Sequence, residues 1–176
     1  MKYTLIILEW KIVLFNPVLW TLDKETSPKT FERLCVDLMY RNGYKDILPL
    51  GDNYDRGRDA ETELFKGTND KKRKIFFQFS LEEQWDGKLN RELKKVNNFG
   101  HKFDFYIFIT SQNVTGYKID KLRVKTRKQY GWELIIFHRE WLRLQLEEAN
   151  KDLAKKYLEV SSQLISKYSR SSITIN

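Results

Sequence analysis

Apolar positions along the chain switch between a helical and an alternating period, and the switches mark out its elements. Residues 3–8 (Tyr-Thr-Leu-Ile-Ile-Leu) and 11–15 (Lys-Ile-Val-Leu-Phe) are β-prone. They read either as an appended hairpin or as a segment that packs on another subunit. Residues 21–27 look like a polar connector. Ser27-Pro28 then has the form of a helix start, with serine as N-cap and proline in the first turn. Phe31, Leu34, Cys35, Leu38 and Met39 follow at helical spacing, and Asn42-Gly43 supplies the stop. Strands are expected at 44–50, 58–65 and 75–79, the last almost purely apolar as a central buried strand would be. A helix over 81–96 puts Leu81, Trp85, Leu89, Leu93 and Val96 on one stripe. A strand at 104–110, a helix at 117–129, a strand at 133–137 and a helical region from 139 to about 166 complete the pattern.

That order predicts an α/β fold: a mixed central sheet with helices on both faces. Residues 1–26 read as an N-terminal apolar extension, 27–166 as one domain, and 167–176 as a tail. No internal repeat and no long linker divides the chain.

Composition narrows the class. With 176 residues, 41% of them hydrophobic, the chain is long enough to bury a core. A formal net charge of +8 favours a polyanionic partner, since clustered Lys and Arg gain by displacing counterions from phosphates. The single cysteine, Cys35, forms no internal disulfide, and His101 and His138 lack metal-ligand spacing. A cytoplasmic setting is therefore expected. Glu9, Lys11 and Asn16-Pro17 interrupt the apolar N-terminal stretch, so no run reaches the roughly 20 apolar residues of a membrane span, and no signal peptide is evident.

The chemistry concentrates between Phe31 and Ser80. Asp59 opens a strand after Asp55-Arg56-Gly57-Arg58, and Gln78-Phe79-Ser80 follows in the next strand. Gln78 and Ser80 project to one face there, and Phe77 and Phe79 to the other. Polar groups on one side of so apolar a strand are either hydrogen-bonded within the core or part of a metal site. Phosphodiester hydrolysis by a divalent metal needs such converging oxygen ligands, with a cation near the attacking water. Asp55 is more readily a turn former than a ligand.

Phe31-Glu32, Gly43-Tyr44, Gly57-Arg58-Asp59-Ala60, Gln78-Phe79-Ser80 and the strand 105–110 together resemble the Mrr-like branch of the PD-(D/E)XK nucleases, across roughly residues 30–158. The resemblance implies a restriction-endonuclease-like fold and a magnesium- or manganese-dependent DNA endonuclease or nuclease-effector domain of a defence system. It implies Asp59, Gln78 and Glu32 as metal ligands, and members of such families often form homodimers, because cutting both strands needs two sites. Ser80 departs from the pattern, standing where the family has its motif lysine. Either the site is dead, or the charge comes from elsewhere. Lys88 on the following helix is the candidate replacement, because seven residues separate it from Leu81 and the two share a helical face. Asp59, Gln78, Ser80 and Lys88 are the expected catalytic set. The basic helix carrying Lys118, Lys121, Lys125 and Lys128 on one face is the expected DNA contact. The rival reading is an inactive module of the same fold that keeps DNA binding or serves as an interaction domain.

Overall fold

The computed structural model describes residues 16–49, 60–65 and 72–165. The expected strands at 3–8 and 11–15, the loop 52–57 with Asp55, Asp59 itself, and the tail lie outside them. Five strands form one mixed sheet in the order β1 (Leu48–Pro49), β2 (Ala60–Phe65), β3 (Lys72–Ser80), β4 (Phe105–Thr110) and β5 (Glu133–Phe137). β1, β2 and β3 pair antiparallel, while β3, β4 and β5 run parallel. The parallel strands are joined by α3 (Trp85–Asn98) and α4 (Gly116–Tyr130).

The described residues open with a helix that takes up part of the connector expected at 21–27. In α1 (Pro17–Lys24) the Asn16 side chain accepts from the Leu19 N–H at 2.9 Å, and Pro17 occupies the first turn. Val18 and Leu22 are buried in the core, so this helix belongs to the domain rather than to an appendage. In α2 (Pro28–Arg41) Ser27 caps Thr30 at 3.1 Å, as its sequence indicates, and Asn42-Gly43 ends it with Gly43 at φ 101°. The four large buried side chains of α2, Phe31, Leu34, Leu38 and Met39, stabilise it by about 1.5–3 kcal/mol each. That far exceeds the few tenths lost at its β-branched positions.

The sheet separates two cores. On one side Ile75, Phe77 and Phe79 of β3 and Ile107 and Ile109 of β4 pack against α1, α2 and the C-terminal helices. On the other, Phe76 of β3, Tyr106 and Phe108 of β4, and Leu134 and Ile136 of β5 pack against α3 and α4. The strict alternation is the period-2 pattern of a strand buried on both faces.

Three boundaries differ from expectation. Of the strand expected at 44–50, Leu48–Pro49 alone pairs among the described residues, and Tyr44 instead packs edge-on against Phe77 at 5.3 Å. Helix α3 begins at Trp85 rather than Leu81, and Leu81 packs on the α2 side of the sheet. The region after Arg139 is not one helix. It runs as α5 (Arg139–Leu144), a single π turn (Gln145–Ala149) and α6 (Lys151–Leu158). The π turn carries Glu147 inward, where Asn16 and Arg143 hydrogen-bond its carboxylate. No helix among the described residues is long and apolar enough to cross a membrane.

Candidate functional site

The parallel strands β3 and β4 end side by side in polar residues. Gln78 lies opposite Phe108 and Ser80 opposite Thr110, and all four share the face that carries α3. Gln78 is 3% exposed and Ser80 5%. The Ser80 hydroxyl accepts from the Glu82 N–H at 3.1 Å, and that of Thr110 accepts from the Gln112 N–H at 3.2 Å. Both strands thus leave the sheet through the same serine/threonine turn. The role visible for Ser80 is that turn.

Lys88 projects from the first turn of α3. Its ammonium lies 3.4 Å from Glu92 and 3.6 Å from Glu82, and Arg91 holds Glu82 at 2.8 Å. Lys88 does not reach this position by sharing a helical face with Leu81, since Leu81 precedes the helix and points to the other core. The orientation of α3 follows from its contacts with α4. Lys118 donates to Asp86 at 2.8 Å and lies over the Trp85 ring, and Lys125 donates to Asn90 at 2.9 Å. Those residues define the flank of α3 that faces α4, which covers β5. At 3.6 residues per turn Lys88 and Glu92 lie on the other flank, toward β3 and β2. Glu61, opposite Phe76 in the register, is on the same face of the sheet.

Glu92 is the residue that sequence reasoning passed over. It sits within the buried stripe of α3 between Leu89 and Val96 and is 9% exposed. Its Oε2 is buried with no hydrogen bond, and the Lys95 ammonium lies 3.8 Å from it. A carboxylate three residues after one stripe position and four before another was the available signal.

Glu32 lies elsewhere. It belongs to α2, whose apolar stripe packs against Ile75, Phe77 and Phe79, the β3 residues of opposite alternation to Gln78 and Ser80. The structure therefore brings Gln78, Ser80, Lys88 and Glu92 to one face of the sheet and leaves Glu32 on the other. Asp59, outside the described residues, is bonded to Ala60, which pairs with Phe77 next to Gln78. Among the described residues no three His, Cys, Asp or Glu side chains gather as a metal cluster. The oxygens that are present, Gln78 and a half-satisfied Glu92, are still hard donors of the kind magnesium takes while keeping most of its waters.

The basic helix α4 is divided. Lys118 and Lys125 hold α3, whereas Lys121 and Lys128 are exposed. The bond from Lys118 draws the Asp86 carboxyl below its ordinary range. No family model, curated protein or solved structure matches the chain.

Proposed function

We propose that this chain is a metal-dependent nuclease domain of restriction-endonuclease-like fold that cleaves DNA, with its site on the α3 face of the sheet. The observation that carries the reading is the buried Glu92 carboxylate beside Lys88, on the same side of the sheet as Gln78. The mixed sheet flanked on both faces by helices agrees with that fold.

In this reading Asp59, Gln78 and Glu92 hold magnesium or manganese, and Glu92 replaces Glu32 in the ligand set. The bound cation would supply a polarised water and neutralise charge on the phosphate. Lys88 would orient that water and stabilise the charge developing on the phosphate oxygens. Glu82, held by Arg91, keeps the Lys88 ammonium on the β2 side of α3. Lys121 and Lys128 would grip the backbone, and two copies of the chain would be needed to cut both strands.

The second reading is a DNA-binding or interaction module without catalysis. It is favoured by the turn-forming role of the Ser80 hydroxyl and by the full engagement of Lys88 with two glutamates.

The test is nicking of supercoiled and linear DNA with magnesium or manganese. Asp59→Ala, Lys88→Ala and Glu92→Gln should each lower the rate by at least about 100-fold, whereas Glu32→Gln should cleave as wild type. Loss with Glu32→Gln but not with Glu92→Gln would move the site to the α2 face. Folded wild type that cleaves nothing would leave the binding module.

A further inference from the structure

The opposite end of the α3 face, away from Gln78, carries an aromatic ladder that the nuclease reading does not use. It begins in the core with Trp132, stacked on Tyr130 at 5.0 Å and on Tyr106 at 6.0 Å. From there it passes to Phe103, whose ring is 6.1 Å from Trp132 and 5.0 Å from Phe76. His101 follows at 6.0 Å from Phe103, and Phe99 at 6.2 Å from His101. Exposure rises along the series, from 3% at Trp132 to 51% at Phe99. An isolated surface phenylalanine needs no explanation, but here four aromatic rings in successive contact, inclined to one another by 42° to 76°, run from core to solvent.

Two clefts flank the ladder. One, of about 290 Å³, is lined by Asn97, His101, Lys102, Phe103, Tyr130 and Trp132, with no carboxylate. The other, of about 450 Å³, adds Lys74 and Glu61 on the β2 side. Both lie at the small end of ligand clefts, with room for a single planar group. Lys102, exposed and lining both clefts, puts a cation beside the rings.

We infer that this ladder seats unstacked bases of a single-stranded nucleic acid, with Phe99, His101 and Phe103 offering ring faces and Lys102 contacting the adjoining phosphate. Bases within a duplex do not expose their faces, so the geometry selects single strands. Stacking is indifferent to base identity, so binding has little sequence preference. The inference does not depend on metal chemistry or on the Gln78 end of the face.

The test is fluorescence anisotropy with a labelled 12-nucleotide single strand, its duplex, and an abasic oligomer of the same length. Wild type should bind the single strand more tightly than the abasic oligomer, and Phe99→Leu should leave duplex binding unchanged. Phe99→Leu should weaken that binding about 5- to 150-fold, while Phe99→Trp should restore it. Lys102→Ala should lower the slope of log affinity against log salt by about 0.7. Phe99 is half-exposed, so unchanged thermal melting should confirm that its variants fold. Equal binding of the abasic oligomer, or wild-type single-strand affinity in Phe99→Leu, would each overturn the inference. A nuclease that cuts duplex DNA normally while Phe99→Leu leaves single-strand binding unchanged would refute this site and spare the other.

Discussion

Two buried glutamates on opposite sides of the sheet make a controlled comparison. Glu92 is 9% exposed and Glu147 4%, so desolvation is similar, but their partners are not. Glu147 accepts from Asn16 and, at 2.8 Å, from Arg143. Glu92 has ammonium groups at 3.4 and 3.8 Å, both partly in solvent, and one buried oxygen without a hydrogen bond. Replacing Glu147 with leucine strands the Asn16 amide and strips Arg143 of one partner, though Glu140 still accepts from it at 2.7 Å. That should cost about 3 kcal/mol. Replacing Glu92 with leucine removes an unsatisfied oxygen worth about 1–3 kcal/mol and forfeits solvent-screened ion pairs worth about 0–1 kcal/mol each. Lys88 retains Glu82. The net should be a gain of about 1 kcal/mol. In urea unfolding at pH 7 the two variants should therefore move in opposite directions, about 4 kcal/mol apart. In melting scans each kcal/mol should appear as about 2–4 °C in a chain of this size. A glutamate whose removal stabilises the fold is retained for something other than stability, the pattern expected of a functional group. If Glu92→Leu loses 2 kcal/mol or more, the carboxylate is a structural element, and the assignment of a metal-holding role to it fails.

Asp86→Asn should weaken the docking of α3 on α4 by under 1 kcal/mol, because both partners are substantially exposed. The Asp86 carboxyl titrates below its ordinary value, so its contribution is complete above about pH 4 and is lost as pH falls through the folded-state value. Acid-unfolding curves of variant and wild type should converge at low pH; a gap that widens there would contradict the assignment. Lys121→Ala with Lys128→Ala should reduce the salt slope of duplex-DNA binding by up to about 2, with unfolding unchanged. Lys118→Ala should instead lower the melting temperature, and equal effects on binding from all three would show that α4 does not divide as described. Gly131 ends α4 at φ 76° with open space where a Cβ would stand. Gly131→Ala should cost about 1 kcal/mol from backbone conformation alone, and Gly131→Asn less. Equal melting temperatures for wild type and Gly131→Ala would refute this.

Periodicity located β3, α3, β4, α4 and β5 to within a few residues because each is held by side chains its own pattern displays. β5 agrees at both ends: Leu134 and Ile136 face α4, and turn residues bound the strand. Helix α1 was missed although Asn16-Pro17 has the same form as Ser27-Pro28. Of its four buried residues, the two in the core, Val18 and Leu22, sit in a run whose neighbours Leu19 and Trp20 are also apolar, so no stripe stands out. The π turn has no local signal. Contacts more than a hundred residues away in sequence, Asn16 to Glu147 and Arg41 to Asn150, hold that region.

For the site, alternation gave the relation between Gln78 and Ser80, but it could not say which helix covers their face. That distinction decides which side chains lie on the same side of the sheet as Gln78. The α2 side of β3 and β4 is apolar from Ile75 to Phe79 and from Ile107 to Ile109. The α3 side turns polar toward the strand ends, through Gln78, Ser80 and Thr110, while its other end leads from Phe76 into the aromatic ladder. From Gln78 to Ile75, opposite the start of β4, is about 10 Å at the strand rise. The same face thus carries oxygen donors and an ammonium as well as a run of aromatic rings. A site built on the α3 face would need no residue from the α2 side, so Glu92→Gln against Glu32→Gln is the comparison that decides between the two faces.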